Sequence, residues 1–164
     1  MTGSRRLVVL RHAHATSGAG LPDIERPLSE RGESEADAAG AWLATYGIRP
    51  DLVICSVARR TRETYVILER HLGRAMTVTY EQRAYSAGLD DLLDLVQETA
   101  EGHETVLLVG HNPSVYQLVL SLAGGAEAGF PPAAAALIEL DGEWGYANPG
   151  TGRLLTQWAP EGVR

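Results

Sequence analysis

Leu7-Val8-Val9-Leu10-Arg11-His12-Ala13 is the stretch whose reading decides the fold: four consecutive aliphatic residues stop at an arginine and a histidine. So short an unbroken apolar run reads as a strand buried on both faces, the mark of a central strand in a parallel sheet. Ligands of open α/β sheets sit at the carboxyl ends of the strands, which puts Arg11 and His12 where a substrate binds. A guanidinium is a planar fork matched to phosphate or carboxylate, and a neutral imidazole beside it is a usable nucleophile or base. Alone, the pair also describes an ordinary satisfied strand end.

Outward from that strand the chain repeats one unit. Residues 14–28 hold Gly, Ala, Pro and charge without period, a loop leaving the first strand. Ser29 reads as an N-cap, with Glu30 and Glu33 in the first turn and Ala36, Ala39, Leu43 and Tyr46 at helical spacing until Gly47. Leu52-Val53-Ile54-Cys55 is a second apolar run that ends at Ser56, followed by a helix with Thr61, Tyr65, Leu68 and Leu72 on one face and Gly73 at its close. Residues 76–80 alternate as a third strand, residues 81–88 are irregular, and Leu89, Leu92, Leu93 and Val96 mark a helix ended by Gly102. Residues 105–109 form a fourth, strongly apolar strand that breaks at Gly110-His111-Asn112-Pro113. Asn112 reads as the N-cap and Pro113 as the first residue of the helix that follows. Residues 134–140, a turn at Asp141-Gly142 and the apolar stretch through Leu154, Leu155 and Trp158 read as an edge hairpin or edge strands. The alternation predicts a three-layer α/β/α sandwich with a mainly parallel central sheet.

A length of 164 residues suits a single domain, residues 1–164, with one site. The net charge of -7, with no run among the 14 Lys+Arg, argues against nucleic-acid binding. Cys55, the single cysteine, reads as a small buried hydrophobe and fits a reducing compartment. No segment approaches bilayer-spanning length and no signal-peptide pattern precedes Arg11, so no membrane partner and a cytoplasmic location are expected. His12, His14, His71, His103 and His111 lack tight ligand spacing, and no metal is expected. His71 and His103 read as solvated, and Trp42, Trp144 and Trp158 as packing residues.

Three of the apolar strands end in the same kind of chemistry: Arg11-His12, then Ser56 with Arg60, then Gly110-His111. In a parallel sheet these ends share one edge, and Arg60 and His111 fall at helix N-termini, where free N–H groups and the dipole favour an anion. Together they describe a phosphate pocket.

The segments Arg11-His12-Ala13, Arg26-Pro27-Leu28-Ser29-Glu30-Arg31-Gly32, Ser56-Val57-Ala58-Arg59-Arg60-Thr61-Arg62-Glu63-Thr64 and Val109-Gly110-His111-Asn112-Pro113 resemble, in order and spacing, the histidine phosphatase superfamily. That superfamily is also called phosphoglycerate mutase-like, and the short chain is similar to its phosphohistidine phosphatase branch of the SixA type. The resemblance implies a phosphoglycerate mutase-like fold, His12 as a nucleophile that carries a phosphohistidine intermediate, and Arg11, Arg60 and His111 as holders of the phosphoryl oxygens. It selects Arg60 over Arg59, because the family arginine lies four residues after the serine that here is Ser56. It implies a phosphorylated substrate, hydrolysis without a cofactor, and independence of metal. Ala13 stands where the common form has glycine, and Val57 where it has proline; neither removes a reactive group.

The nearby guanidinium groups are expected to disfavour a further positive charge and keep His12 unprotonated. Arg26 either adds a phosphate contact or braces its loop, and His14 either touches substrate or is an exposed loop histidine. Glu81 is the candidate proton donor to a leaving group, ahead of Asp90 and Asp91, which suit a helix first turn for the dipole alone. Without a well-placed acid an alkoxide leaves badly, whereas an imidazole leaves readily. Phosphohistidine on a protein is thus the first substrate expectation. A small-molecule phosphatase for nucleotide or sugar phosphates is the alternative, and a phosphate- or phosphoprotein-binding module on the same fold is the non-enzymatic one.

Overall fold

The computed structural model describes residues 3–73, 76–125 and 129–161. Its centre is a six-stranded sheet of β1 (Arg5–Arg11), β2 (Leu52–Ser56), β3 (Val78–Glu81), β4 (Thr105–Gly110), β5 (Ala135–Leu140) and β6 (Gly152–Trp158), in the order β3-β2-β4-β1-β5-β6. The first four of these, counted across the sheet, run parallel, and β5 and β6 close one side antiparallel. Four helices cross between them: α1 (Glu30–Thr45), α2 (Arg59–Glu69), α3 (Leu89–Gln97) and α4 (Ser114–Ala123).

Period-two alternation along β1 builds the two sides of the core. Leu7 and Val9 pack with residues of α3 and α4, among them Leu92, Leu95, Leu118 and Leu122. Val8 and Leu10 pack with Ala39 and Leu43 of α1 and Tyr65 and Leu68 of α2. All four β1 aliphatics are fully buried, each worth roughly 1.5–3 kcal/mol relative to exposure. The three layers follow from a strand that is apolar on both faces.

Ser29 caps α1, its hydroxyl accepting from Gly32 N–H at 3.0 Å, and Gly47 leaves the helix at φ +72. Trp144 is fully buried, with its indole N–H donating to the His103 carbonyl, and Trp42 stacks on Trp158. Cys55 is buried and free.

Five local readings are corrected. The third strand begins at Val78 rather than residue 76, and Glu81 is its last residue, in register with Ser56 of β2. Helix α3 stops at Gln97, well short of Gly102. Asn112 does not cap α4: its side-chain amide donates to the Phe130 carbonyl, Pro113 occupies the cap position after a cis peptide bond, and the helix starts at Ser114. The last two strands pair as expected, but the chain between them, residues 141–151, is a long connection holding a short 3-10 turn at Trp144–Tyr146. Of the two, β6 is the edge, while β5 lies inside against β1. His71 and His103 are not simply solvated: His71 Nε2 lies 2.7 Å from Asp37 Oδ1, and His103 Nδ1 lies 3.3 Å from Asp51 Oδ1.

Candidate active site

The parallel register sets Arg11 of β1 beside Gly110 of β4, and β2 lies on the other side of β4. The three chemistry-bearing strand ends are thereby adjacent. His12 N–H donates to the Gly110 carbonyl at 3.0 Å, and the Ala133 N–H reaches the carbonyls of Arg11 and His12, both at 3.1 Å. Ala133 makes this contact from the left-handed region, φ +63, unusual for a residue with a Cβ. On the other flank, Ala13 N–H donates to the Thr64 hydroxyl, which itself donates to the Arg60 carbonyl. Thr64 therefore ties the His12 segment to the first turns of α2.

These ties surround a cavity of about 300 Å³ lined by Arg11, His12, His14, Ala15, Arg26, Arg60, His111, Asn112 and Pro132. His12 and His111 face each other with ring centroids 5.2 Å apart. His12 Nδ1 lies 2.7 Å from the Ala13 carbonyl oxygen. A carbonyl only accepts, so Nδ1 carries the proton and Nε2 keeps its lone pair. His111 is buried and held at Nε2 by the Ser56 hydroxyl at 2.8 Å.

Both histidines are held neutral. Burial pushes the His12 pKa down to about 3, opposed by the Ala13 hydrogen bond and assisted by the neighbouring His111, Arg60 and Arg11. Burial likewise takes His111 to about 4, with Arg60 next in weight. Desolvation thus leads, and the guanidinium groups, the one cause expected from sequence, add to it.

Arg60 is buried in the cavity wall, whereas Arg59 points away and pairs with Glu63 at 2.8 Å. Arg11 donates to the Phe130 carbonyl at 3.1 Å. Arg26 braces its loop by donating to the Thr16 carbonyl and to Asp23, and it also lines the cavity. His14 lines the cavity with Nδ1 2.7 Å from the Ser29 hydroxyl, and its N–H donates to the buried Glu35 carboxylate. Glu81 is not brought to the cavity. It lines a separate groove with Leu52, Thr79 and Leu95, and its carboxylate lies 3.6 Å from Arg83. Asp90 and Asp91 lie in the first turn of α3 as expected, and Asp91 also accepts from Gly88 N–H.

Sequence reasoning missed Asp23, Tyr85 and Glu35. Asp23 lies three residues before Arg26, a spacing compatible with the ion pair it forms; Tyr85 is 62 residues from the carboxylate it binds, and no local pattern reveals it. Among the described residues no group of three His, Cys, Asp or Glu is arranged to hold a metal ion, and no helix is long and apolar enough to cross a membrane.

The model of the histidine phosphatase superfamily (branch 1) matches residues 7–91, which carry Arg11, His12, Arg26 and Arg60. The chain belongs to the histidine phosphatase superfamily. The family match and the similarity to SixA proteins together make it a hydrolase of the phosphatase class, SixA-like in its structure. A protein of Nakamurella multipartitia assigned as the phosphohistidine phosphatase SixA superposes with a TM-score of 0.87 at 30% identity, over 97% of this chain and 98% of that one. The protein histidine phosphatase SixA in complex with tungstate superposes with a TM-score of 0.82 at 25% identity, over 94% of this chain and 97% of the other. An uncharacterized protein of Mycobacterium tuberculosis is 31% identical over 156 residues, spanning 89% of this chain and 96% of its own. The superfamily fold accounts for the sheet order and for the convergence of three strand ends.

Proposed function

We propose that this chain hydrolyses phosphohistidine on proteins by way of a phosphoryl group carried on His12 Nε2. The observation that carries the reading is the His12 Nδ1 hydrogen bond to the Ala13 carbonyl, which leaves Nε2 as the lone-pair nitrogen inside a cavity lined by Arg11, Arg26, Arg60 and His111. The similarity to SixA proteins along nearly the whole chain supports the substrate class.

In the proposed reaction Nε2 attacks phosphorus in line, and the bond to the leaving nitrogen breaks with its electron pair going to that nitrogen. Arg11 and Arg60 stabilise the equatorial oxygens, and His111, held at Nε2 by Ser56, offers its Nδ1 to them. Water then attacks the phosphorylated His12 and releases inorganic phosphate. Among the described residues no carboxylate lines the cavity, which suits an imidazole leaving group better than an alkoxide. The groups named supply all the positive charge the scheme uses, so a chelator is expected to leave the rate unchanged. A cytoplasmic setting, in which the free Cys55 stays reduced, completes the reading.

The test is to trap the intermediate. After a rapid quench with a phosphoryl-labelled phosphohistidine protein, the wild-type chain should carry acid-labile, base-stable label, and folded His12→Ala should carry none. Label retained by His12→Ala would overturn the nucleophile. A panel of phosphohistidine protein, nucleotides, sugar phosphates and aryl phosphates fixes the substrate: a higher kcat/KM on a nucleotide or sugar phosphate would make this a small-molecule phosphatase instead.

A further inference from the structure

Asp23 joins the rim of the cavity to residues from three parts of the chain. Its Oδ2 accepts from Arg60 Nη2 at 3.1 Å and from the Tyr85 hydroxyl at 2.6 Å, and its Oδ1 accepts from Arg26 Nε at 3.0 Å. Its backbone carbonyl takes a further bond from Arg60 Nη1 at 2.8 Å. Arg26 and Arg60 both line the cavity. The Tyr85 ring meets His111 edge-on at 5.7 Å and lies 6.0 Å from the Arg60 guanidinium carbon. One carboxylate is thus fixed, by donors from the loop after β1, from α2 and from the segment after β3, against the outer side of the phosphate-lining groups.

Its place in the reaction follows from the geometry of in-line displacement, in which the leaving group departs opposite the attacking atom. His12 is anchored through its backbone at the ends of β1 and β4, so the leaving group faces the open side of the cavity. Asp23 is bonded to Arg26 and Arg60 of the cavity lining, and its side chain is 56% exposed although three donors hold it. Of its two oxygens, Oδ1 receives a single hydrogen bond and retains an acceptor position.

We propose that the Asp23 carboxylate meets the leaving group and selects those that present an N–H, such as the imidazole of phosphohistidine, over those that depart as anions. This rests on the phosphohistidine reading above and names the residue that makes the site choose it. The Tyr85 hydroxyl leads the groups that hold the Asp23 carboxyl down at about 2. Asp23 is therefore ionised at neutral pH and acts as an acceptor, not as a proton donor. A phosphorylated imidazole protonated on its distal nitrogen offers that N–H to Oδ1. As His12 Nε2 forms its bond to phosphorus, the old P–N bond breaks with its pair to the ring, and neutral imidazole leaves with the same proton still on its distal nitrogen. A phenolate or alkoxide leaving group has no such proton and brings negative charge toward the carboxylate.

The experiment compares kcat/KM of wild type and Asp23→Asn on three substrates: a phosphohistidine peptide, phosphoimidazole and p-nitrophenyl phosphate. The ratio of phosphoimidazole to the aryl phosphate should fall about 10- to 100-fold in Asp23→Asn, the range spanned by a hydrogen bond to a charged group. Equal losses on all substrates, the result if Asp23 only positions Arg60, would overturn the proposal while leaving the phosphohistidine reading intact. An inert phosphohistidine peptide with an Asp23-dependent preference for phosphoimidazole would do the opposite, removing the protein substrate and keeping the role of Asp23. A wild-type enzyme that favours the aryl phosphate over both phosphoramidates would overturn both.

Discussion

The carbonyl oxygen of His14 lies where a Cβ on Gly32 would sit, so that the loop carrying the site histidine rests directly on the first turn of α1. The Ser29 hydroxyl, which caps that helix, also donates to the same carbonyl, and Ser29 N–H donates to it at 3.0 Å. Helix start and site loop form one unit.

Gly32→Ala tests that unit. Neither side of the contact is a flexible side chain, so the helix or the loop must shift. We expect a loss of roughly 1–3 kcal/mol in stability and a fall in kcat/KM larger than the change in folded fraction explains. Chemical denaturation beside steady-state kinetics measures both. A variant as stable and active as wild type would show that the loop follows the helix freely.

Arg59 and Arg60 are adjacent in sequence and differ in fate, one on the surface with Glu63 and one buried in the cavity wall. Arg60→Ala and His111→Ala should each lower kcat by about 10²–10³, more than they raise KM, because each is proposed to stabilise charge that develops during transfer. Arg59→Ala should stay within about threefold of wild type on the same assay. Equal damage at the two arginines would contradict the placement of α2.

Glu81→Gln is expected to change kcat/KM by less than about twofold on phosphohistidine, aryl and glycerol phosphates alike, as for a surface change away from the site. Its carboxylate faces Arg83 in another groove. A collapse confined to glycerol phosphate would mean that Glu81 reaches the leaving oxygen after all.

Acid should destabilise the fold through its two depressed histidines. Between about pH 6.5, the ordinary histidine value, and the folded values of about 3 for His12 and about 4 for His111, the unfolded chain binds protons that the native chain refuses. Stability therefore rises with pH across this window and is lost as pH falls, by about 1.4 kcal/mol per pH unit for each group. Asp23, depressed to about 2, adds a loss of the same sign at lower pH, below its ordinary value of 3.8. His12→Ala should flatten the fall of Tm between pH 6.5 and 4 relative to wild type, as measured by thermal denaturation in matched buffers. An unchanged slope would show that His12 is not buried as described.

The sequence by itself determined the alternation of strands and helices, the burial of β1 on both faces, and the grouping of Arg11, His12, Arg60 and His111, because each depends on short-range periodicity or on a motif contiguous in the chain. The ends of elements were less legible. Asn112 has the chemistry of a cap, but its amide is taken by the Phe130 carbonyl 18 residues on, a competitor no local pattern contains. Only the tertiary structure decided which side chains meet. It put Glu81, level with Ser56 at the end of β2, on the wrong side for the cavity, and it made burial rather than neighbouring charge the main reason that His12 stays neutral. It also drew Asp23 and Tyr85 to Arg60. Such convergence depends on the sheet order and on how α2 and the loop after β1 dock, and these are settled by long-range packing among groups whose local sequence preferences are silent about one another.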